Sequence, residues 1–294
     1  MESIIDLDRC VIDALNLFSK NKLPKLPVIK FKRPLVVGSG NAAVTGKILF
    51  AEKDAVFADE SNYKDKLKRV KAIDGCVLIS SSGKKHSPLI AKEMKKKKIP
   101  VVFITNNPES EACKYAEESI VFPKNSEPYT YNTSTYLGMI LSKTKENPKE
   151  ILRLIEKIKD KLPTSLSEYD SFFFIVPDKF EVIREMYLTK FDELFGSKVM
   201  GRAFTLDQTK HAKTLVPSDK ELFISLVEKN EVFGTARLNI ELPKNTDYGT
   251  LMCVGYYIIG QIQKQKPQYY KENIEKYAKE VSNIFKQQIG PVAD

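Results

Sequence analysis

Two short loops in this sequence carry groups that could hold an anion. Ser80-Ser81-Ser82-Gly83 sets three hydroxyls and a glycine between an apolar run, Cys76 to Ile79, and a segment of helical spacing beginning near Ser87. Backbone N–H groups and hydroxyls converging at a helix N-terminus suit a phosphate. Serines in that place also act as ordinary N-caps. Gly38-Ser39-Gly40-Asn41-Ala42-Ala43 follows another apolar run and opens another helix. It fits the first part of a dinucleotide fingerprint, with Asp59 near the ribose-binding distance. These loops leave two ligand classes open, a phosphorylated small molecule or a nucleotide serving an oxidoreductase.

Composition removes other chemistries. The chain has four scattered cysteines (Cys10, Cys76, Cys113, Cys253) and two histidines, so no metal site is expected. The thiols read as structural in a reduced, cytoplasmic protein. No apolar run approaches the roughly 20 residues of a membrane span, and the N-terminus carries acids rather than a basic leader. The net charge of +9 comes mainly from lysine. The basic run Lys95 to Lys98 sits at a helix end, where cations favour the dipole. No RNP, KH or helix-turn-helix signature accompanies it, so no nucleic acid is expected as a partner.

Alternating elements must position the loops. Met1 to Ser19 has apolar residues at helical spacing, and Pro24, Pro27 and Pro34 break the chain after it. Strands are predicted at Leu35–Val37, Ala55–Phe57, Cys76–Ile79, Val101–Ile104 and Ile120–Phe122. Helices are predicted between them at Asn41–Phe50, Tyr63–Val70, Ser87–Lys97 and Glu109–Ala116. That alternation implies a mostly parallel sheet covered on both faces. A mostly helical region, Tyr131–Lys161, closes the first half, and a linker follows at Pro163–Glu168. The second half restarts with strands at Phe172–Val176, Lys198–Phe204, Leu222–Leu226 and Leu238–Leu242. Its helices are predicted at Lys179–Phe195, Thr250–Gln265 and Tyr269–Phe285. The expected division is 1–162, with a helical leader over 1–30, and 163–294.

Four motifs in order resemble the sugar isomerase (SIS) domain between Leu35 and Leu141. Gly38-Ser39-Gly40 matches the family's glycine-rich first loop, and Ser80-Ser81-Ser82-Gly83 its S-x-S-G-x-T phosphate loop, with Lys85 in place of the threonine. Ile104-Thr105-Asn106 with Ser110 matches I-T-N-x-x-x-S. Glu127, before a helix bearing Thr133, Ser134 and Thr135, matches the last motif. The resemblance implies an α/β protein of two αβα-sandwich SIS-type domains with mostly parallel sheets, the second degenerate. It also implies a homodimer that needs no cofactor. At Asp59-Glu60 it implies sugar or interface contact rather than ribose binding.

The second half resembles the family less closely. Val176-Pro177-Asp178 replaces a glycine-rich loop, and the C-terminal P-R-N-L-A-K-S segment is missing. Gln208-Thr209-Lys210-His211-Ala212 resembles E-L-K-H-G, with Gln208 replacing the acid and Ala212 the glycine. The resemblance assigns ring opening to His211 and the base to Glu193 at the end of the preceding helix. Aldose–ketose interconversion needs such groups: a histidine titrating near neutrality to open the ring, and a carboxylate to move a proton between C1 and C2. Glu127 is a further substrate-contacting or proton-transferring acid, against a plain helix cap. His86, beside Lys84 and Lys85, could reach the sugar, but reads more simply as exposed.

The expected ligand is a hexose or aminohexose 6-phosphate held by Gly38, Ser39, Gly40, Ser80, Ser81, Ser82, Gly83, Lys85 and Thr133. The expected activity is a phosphosugar aldose–ketose isomerase. A glucosamine-6-phosphate deaminase and a non-catalytic sugar-phosphate sensor are the alternatives. Glu2 stands where a glutaminase domain would begin with cysteine, so a complete glutamine-dependent synthase is not expected.

Overall fold

The near-continuous apolar runs of the first half form a sheet buried on both faces. In the computed structural model, which describes residues 4–26, 28–226 and 229–293, β1 (Pro34–Val37), β2 (Val56–Ala58), β3 (Gly75–Ser80), β4 (Val101–Thr105) and β5 (Glu118–Val121) pair in the order β2-β1-β3-β4-β5. All pairs are parallel, as runs such as Val101–Thr105, buried throughout, require. Helices α1 (Leu7–Lys20), α2 (Asn41–Leu49), α3 (Tyr63–Arg69) and α4 (Ser87–Lys96) follow the predicted alternation. Residues 1–3 of the expected first helix, with Glu2 among them, and Pro27 lie outside the described residues.

Local chemistry explains the departures. Glu109–Ala116 tightens into a 3-10 turn, Glu111–Tyr115, capped by Ser110 Oγ, which accepts from Ala112 N–H. The predicted helical region splits into α5 (Thr133–Thr144) and α6 (Pro148–Lys159). Lys145 takes φ +61°, and Asn147 Oδ1 accepts from Lys149 N–H just before Pro148 at the start of α6.

A second parallel sheet has the order β10-β9-β7-β8. Its strands are β7 (Ser171–Val176), β8 (Met200–Thr205), β9 (Glu221–Ser225) and β10 (Ala236–Asn239), joined by helices α7 (Ile183–Phe195) and the one-turn α8 (Leu206–Thr209). Read from the other edge this is β8-β7-β9-β10, the same order as β2-β1-β3-β4. Helices α9 (Tyr248–Gln265) and α10 (Tyr269–Phe285) complete it. A two-residue ladder pairs β6 (Glu127–Pro128) with β11 (Val292–Ala293), which the sequence does not predict.

The chain divides into two compact units. The first holds Lys20–Lys124 and Ser134–Lys145, and the second Met1–Ser19, Asn125–Thr133 and Glu146–Asp294. The core of the first joins Leu35, Val37, Cys76, Leu78, Val101 and Phe103 to Ile90, Ala91 and Met94 of α4. In the second, Tyr187 of α7 donates its hydroxyl to Leu251 O at 2.6 Å, and Gly255 leaves room for the ring. Tyr131, Tyr256, Tyr257 and Tyr270 are buried there as packing residues. Among the described residues, no helix is long and apolar enough to cross a membrane and no cluster could hold a metal ion. The four cysteines are free thiols.

Candidate functional site

Strand order fixes where a ligand can enter the first unit. Chain direction reverses across the sheet between β1 and β3, and open parallel sheets bind ligands at the carboxyl ends beside such a switch. Both candidate loops stand there, Gly38-Ser39-Gly40 after β1 and Ser80–Gly83 after β3.

The serine loop is held from behind by the segment after β4. Thr105 Oγ1 (2.9 Å) and Asn106 N–H (3.0 Å) both donate to Ser81 O, and Asn107 Nδ2 donates to Ser82 O at 2.8 Å. Ser110 Oγ donates to Gly83 O at 2.8 Å. Gly83 takes φ +61°, and a Cβ there would stand 2.2 Å from Ser110 Oγ. Only glycine fits this turn. Ser80 Oγ accepts from Gly83 N–H at 3.2 Å and Ser82 Oγ from Lys84 N–H at 3.4 Å, so both hydroxyls keep a proton to donate. No backbone carbonyl among the described residues accepts from the N–H of Ser81 or Ser82. These donors suit an anion rather than a helix cap alone.

The first glycine loop is built for close approach. A Cβ on Gly38 would stand 2.6 Å from the Ala42 backbone, and Gly40 takes φ +52° as α2 begins. Gly38 N–H donates to Ala58 O at 3.2 Å, tying the loop to the end of β2. Ser39 Oγ donates to Glu60 Oε2. Burial pushes the Lys85 ammonium below its ordinary value while Glu60 pulls it back up, so Lys85 also lies within electrostatic reach of Glu60. Asp59 Oδ1 accepts from Ser61 N–H, Ser61 Oγ and Asn62 N–H, which lowers its pKa and commits it to its own turn. That arrangement gives no support to a ribose-binding role. His86 is exposed at the head of α4.

The acid/base candidates belong to the second unit, apart from the serine loop in chain grouping. Glu127 is 5% exposed, and its Oε2 accepts from Thr133 N–H at 2.6 Å, so it does cap α5. The intervening turn is strained, with φ +76° at Thr130 and +51° at Asn132. Thr133 is buried and its Oγ1 has no partner among the described residues. Glu193 pairs with Lys190, whose side chain is fully buried and whose Nζ also donates to Thr130 O at 2.7 Å. Burial raises the Glu193 pKa, and Lys190 pulls it down. A partly desolvated carboxylate beside a fixed cation is equipped for proton transfer. Lys190 is absent from the sequence-predicted set; its one visible signal is a lysine three residues before Glu193 on an otherwise apolar helix face.

His211 is exposed, one residue past α8 and its C-cap Lys210; its backbone N–H donates to Gln208 O, whereas Glu193 pairs with Lys190. Gln208, where the family motif has an acid, completes a capping box. Its Oε1 accepts from Thr205 N–H at 3.1 Å, and its own N–H donates to Thr205 Oγ1 at 3.2 Å. Ala212 takes φ +57°, the left-handed conformation that a glycine holds without strain.

Residues 36–142 match the protein-family model described as the SIS domain. No curated protein matches the chain. Among solved structures, glucosamine-6-phosphate deaminase from Thermotoga maritima is similar with TM-score 0.60 at 16% identity, covering 88% of this chain and 91% of that one. Tagatose-6-phosphate ketose/aldose isomerase from Escherichia coli gives TM-score 0.62 at 12% identity, over 88% and 90%. The C-terminal domain of glucosamine-fructose-6-phosphate aminotransferase from Francisella tularensis gives 0.58 at 12%, over 90% and 94%. These likenesses show a shared fold.

Proposed function

We propose that this chain, whose residues 36–142 match the SIS domain model, is an aldose–ketose isomerase of a hexose or aminohexose 6-phosphate. The observation that supports this most is the serine loop, pinned from behind and offering the hydroxyl protons of Ser80 and Ser82 at the switch point of the sheet. In this reading Ser80 to Gly83 take the phosphate, and Lys85 adds charge where the family has a hydroxyl. Glu193, held by Lys190, takes the proton from C2 of the open-chain aldose as O1 gains one, leaving the enediol, and returns it to C1 as O2 loses its proton; Glu127 orders the turn leading into α5. His211 opens the ring.

Incubation with fructose 6-phosphate and glucosamine 6-phosphate, with product analysis, tests the reading. Interconverted sugar phosphates are the expected products, and release of ammonia would make the chain a deaminase instead. Ser82→Ala is expected to weaken sugar-phosphate binding about tenfold, the scale of a charge-assisted hydrogen bond; unchanged binding would sink the phosphate role. A second reading, a sensor that binds without turnover, is favoured by the exposure of His211. Tight binding with no product over hours would establish it.

A further inference from the structure

The hydroxyls at the carboxyl edge of the first sheet fall into two chemical groups. Ser80 and Ser82 accept hydrogen bonds from the backbone and keep their own protons for a ligand. Ser39 is reversed: its Oγ gives its proton to Glu60. A carboxylate can only accept, and a hydroxyl has one proton, so Ser39 turns lone pairs outward. The dianionic phosphate of a sugar-phosphate ester brings only acceptors and is repelled by the nearby carboxylate. A sugar hydroxyl or an ammonium brings the donor that Ser39 lacks.

The local fold brings the two residues together. Gly38 N–H bonds to Ala58 O at the end of β2, which sets Ser39 against Glu60 two residues further on. Glu60 and Lys85 are electrostatically coupled, so the carboxylate's charge is partly offset on the side of the serine loop.

We propose that Glu60 makes Ser39 the sugar-reading acceptor of this site, so that the phosphate is confined to Ser80–Gly83 and the sugar is selected by a hydroxyl or ammonium donor. This rests on the phosphate role proposed for the serine loop. It reassigns Ser39 from phosphate donor to specificity determinant, and gives Glu60 a positioning role through it.

The test measures dissociation constants by calorimetry for inorganic phosphate, fructose 6-phosphate and glucosamine 6-phosphate. The proteins are the full chain and its Ser39→Ala, Glu60→Gln and Ser82→Ala variants, the first two altered at accessible loop positions. Ser39→Ala is expected to weaken both sugar phosphates about tenfold and to leave inorganic phosphate within about twofold. Glu60→Gln removes a like charge and brings an amide N–H that can donate to Ser39 Oγ, so the Ser39 proton is no longer committed to a carboxylate, and inorganic phosphate is expected to tighten about tenfold and the preference for sugar phosphates to narrow. Equal weakening of all three ligands by Ser39→Ala would show that Ser39 donates to phosphate, and would overturn the proposal. An unchanged preference in Glu60→Gln would overturn it as well. If the unaltered chain binds none of the sugar phosphates, the serine-loop reading itself fails. If that chain binds them and Ser82→Ala weakens all three ligands while Ser39 and Glu60 leave the preference intact, only the present inference fails.

Discussion

The two sheets share one strand order and treat their carboxyl ends in opposite ways. On the first, glycines at 38, 40 and 83 open the loops, and the hydroxyls of Ser80 and Ser82 accept from the backbone and keep protons to give. On the second, Pro177 and Asp178 follow the equivalent strand, and Asp178 Oδ1 accepts from Asp207 N–H at 3.0 Å. Its carboxyl is held below the ordinary aspartate value by the Thr205 side chain and then by that backbone donor. Glu146 fills the N-terminus of α9, accepting from the N–H groups of Asp247 (2.9 Å), Gly249 (2.7 Å) and Thr250 (3.1 Å). The chain's own carboxylates thus sit on donors that a ligand would otherwise use. Topology offers a place for an anion in both sheets, and local occupancy decides which one stays open.

Under the proposed function, binding falls to the first sheet and proton transfer to α7. Glu193→Gln tests that division most severely. Turnover is expected to fall about a thousandfold, within the range of a lost general base, with sugar-phosphate affinity nearly unchanged. Parallel loss of binding would show that Glu193 belongs to the binding apparatus and would erase the division.

Lys190→Met sharpens the same point through pH. Burial raises the Glu193 pKa and the Lys190 ammonium lowers it, so removing the cation takes away the largest opposing influence and leaves only the smaller one of Thr130. The base is active when deprotonated. Its pKa in the variant stands higher, and the acid limb of the kcat/KM profile should therefore move to higher pH, with activity partly recovered as pH rises. A profile that is lower at every pH but unmoved would mean that Lys190 supports only the fold.

The sequence carries most of the first sheet and little of this pairing. Apolar runs such as Val101–Thr105, punctuated by Gly38, Gly83 and the prolines, announce strands and loops because the signal is local. Partners distant along the chain leave no such trace. Glu146 reaches N–H groups about a hundred positions away, and β6 with β11 pairs segments far apart along the chain. Lys190 reads as a surface residue by type, yet its side chain is fully buried. Gln208 shows a further failure. Taken as a lost acid, it suggests degeneracy, whereas the Thr205–Gln208 spacing also spells a capping box that the structure contains.

Glu146→Ala would break the comparison from the other side. Three N–H groups at the start of α9 would lose a charged acceptor, and stability is expected to drop by about 2 kcal/mol, read as a lower midpoint in urea unfolding. Since the second sheet would then have an uncovered helix N-terminus, added sulfate should restore part of that loss. Sulfate stabilising both proteins equally would show that Glu146 does not stand in an anion's place.

Ala212→Gly has the smallest expected effect and probes how far the second half has drifted. The chain holds φ +57° at Ala212, a conformation that costs an L-residue roughly 1 kcal/mol and glycine nothing. Against that gain, glycine makes the unfolded chain more flexible, a loss of about 0.5 kcal/mol or more. The net expectation is a stabilisation of a few tenths of a kcal/mol, at the edge of resolution for urea unfolding. Turnover is the more informative reading. If His211 opens the sugar ring, relieving strain at its neighbour alters the position of the imidazole, and kcat should change while KM for the sugar phosphate holds. Unchanged kcat together with the stability gain would mark Ala212 as a substitution in a turn that only closes β8 onto its crossover, and would remove His211 from the proton-transfer group.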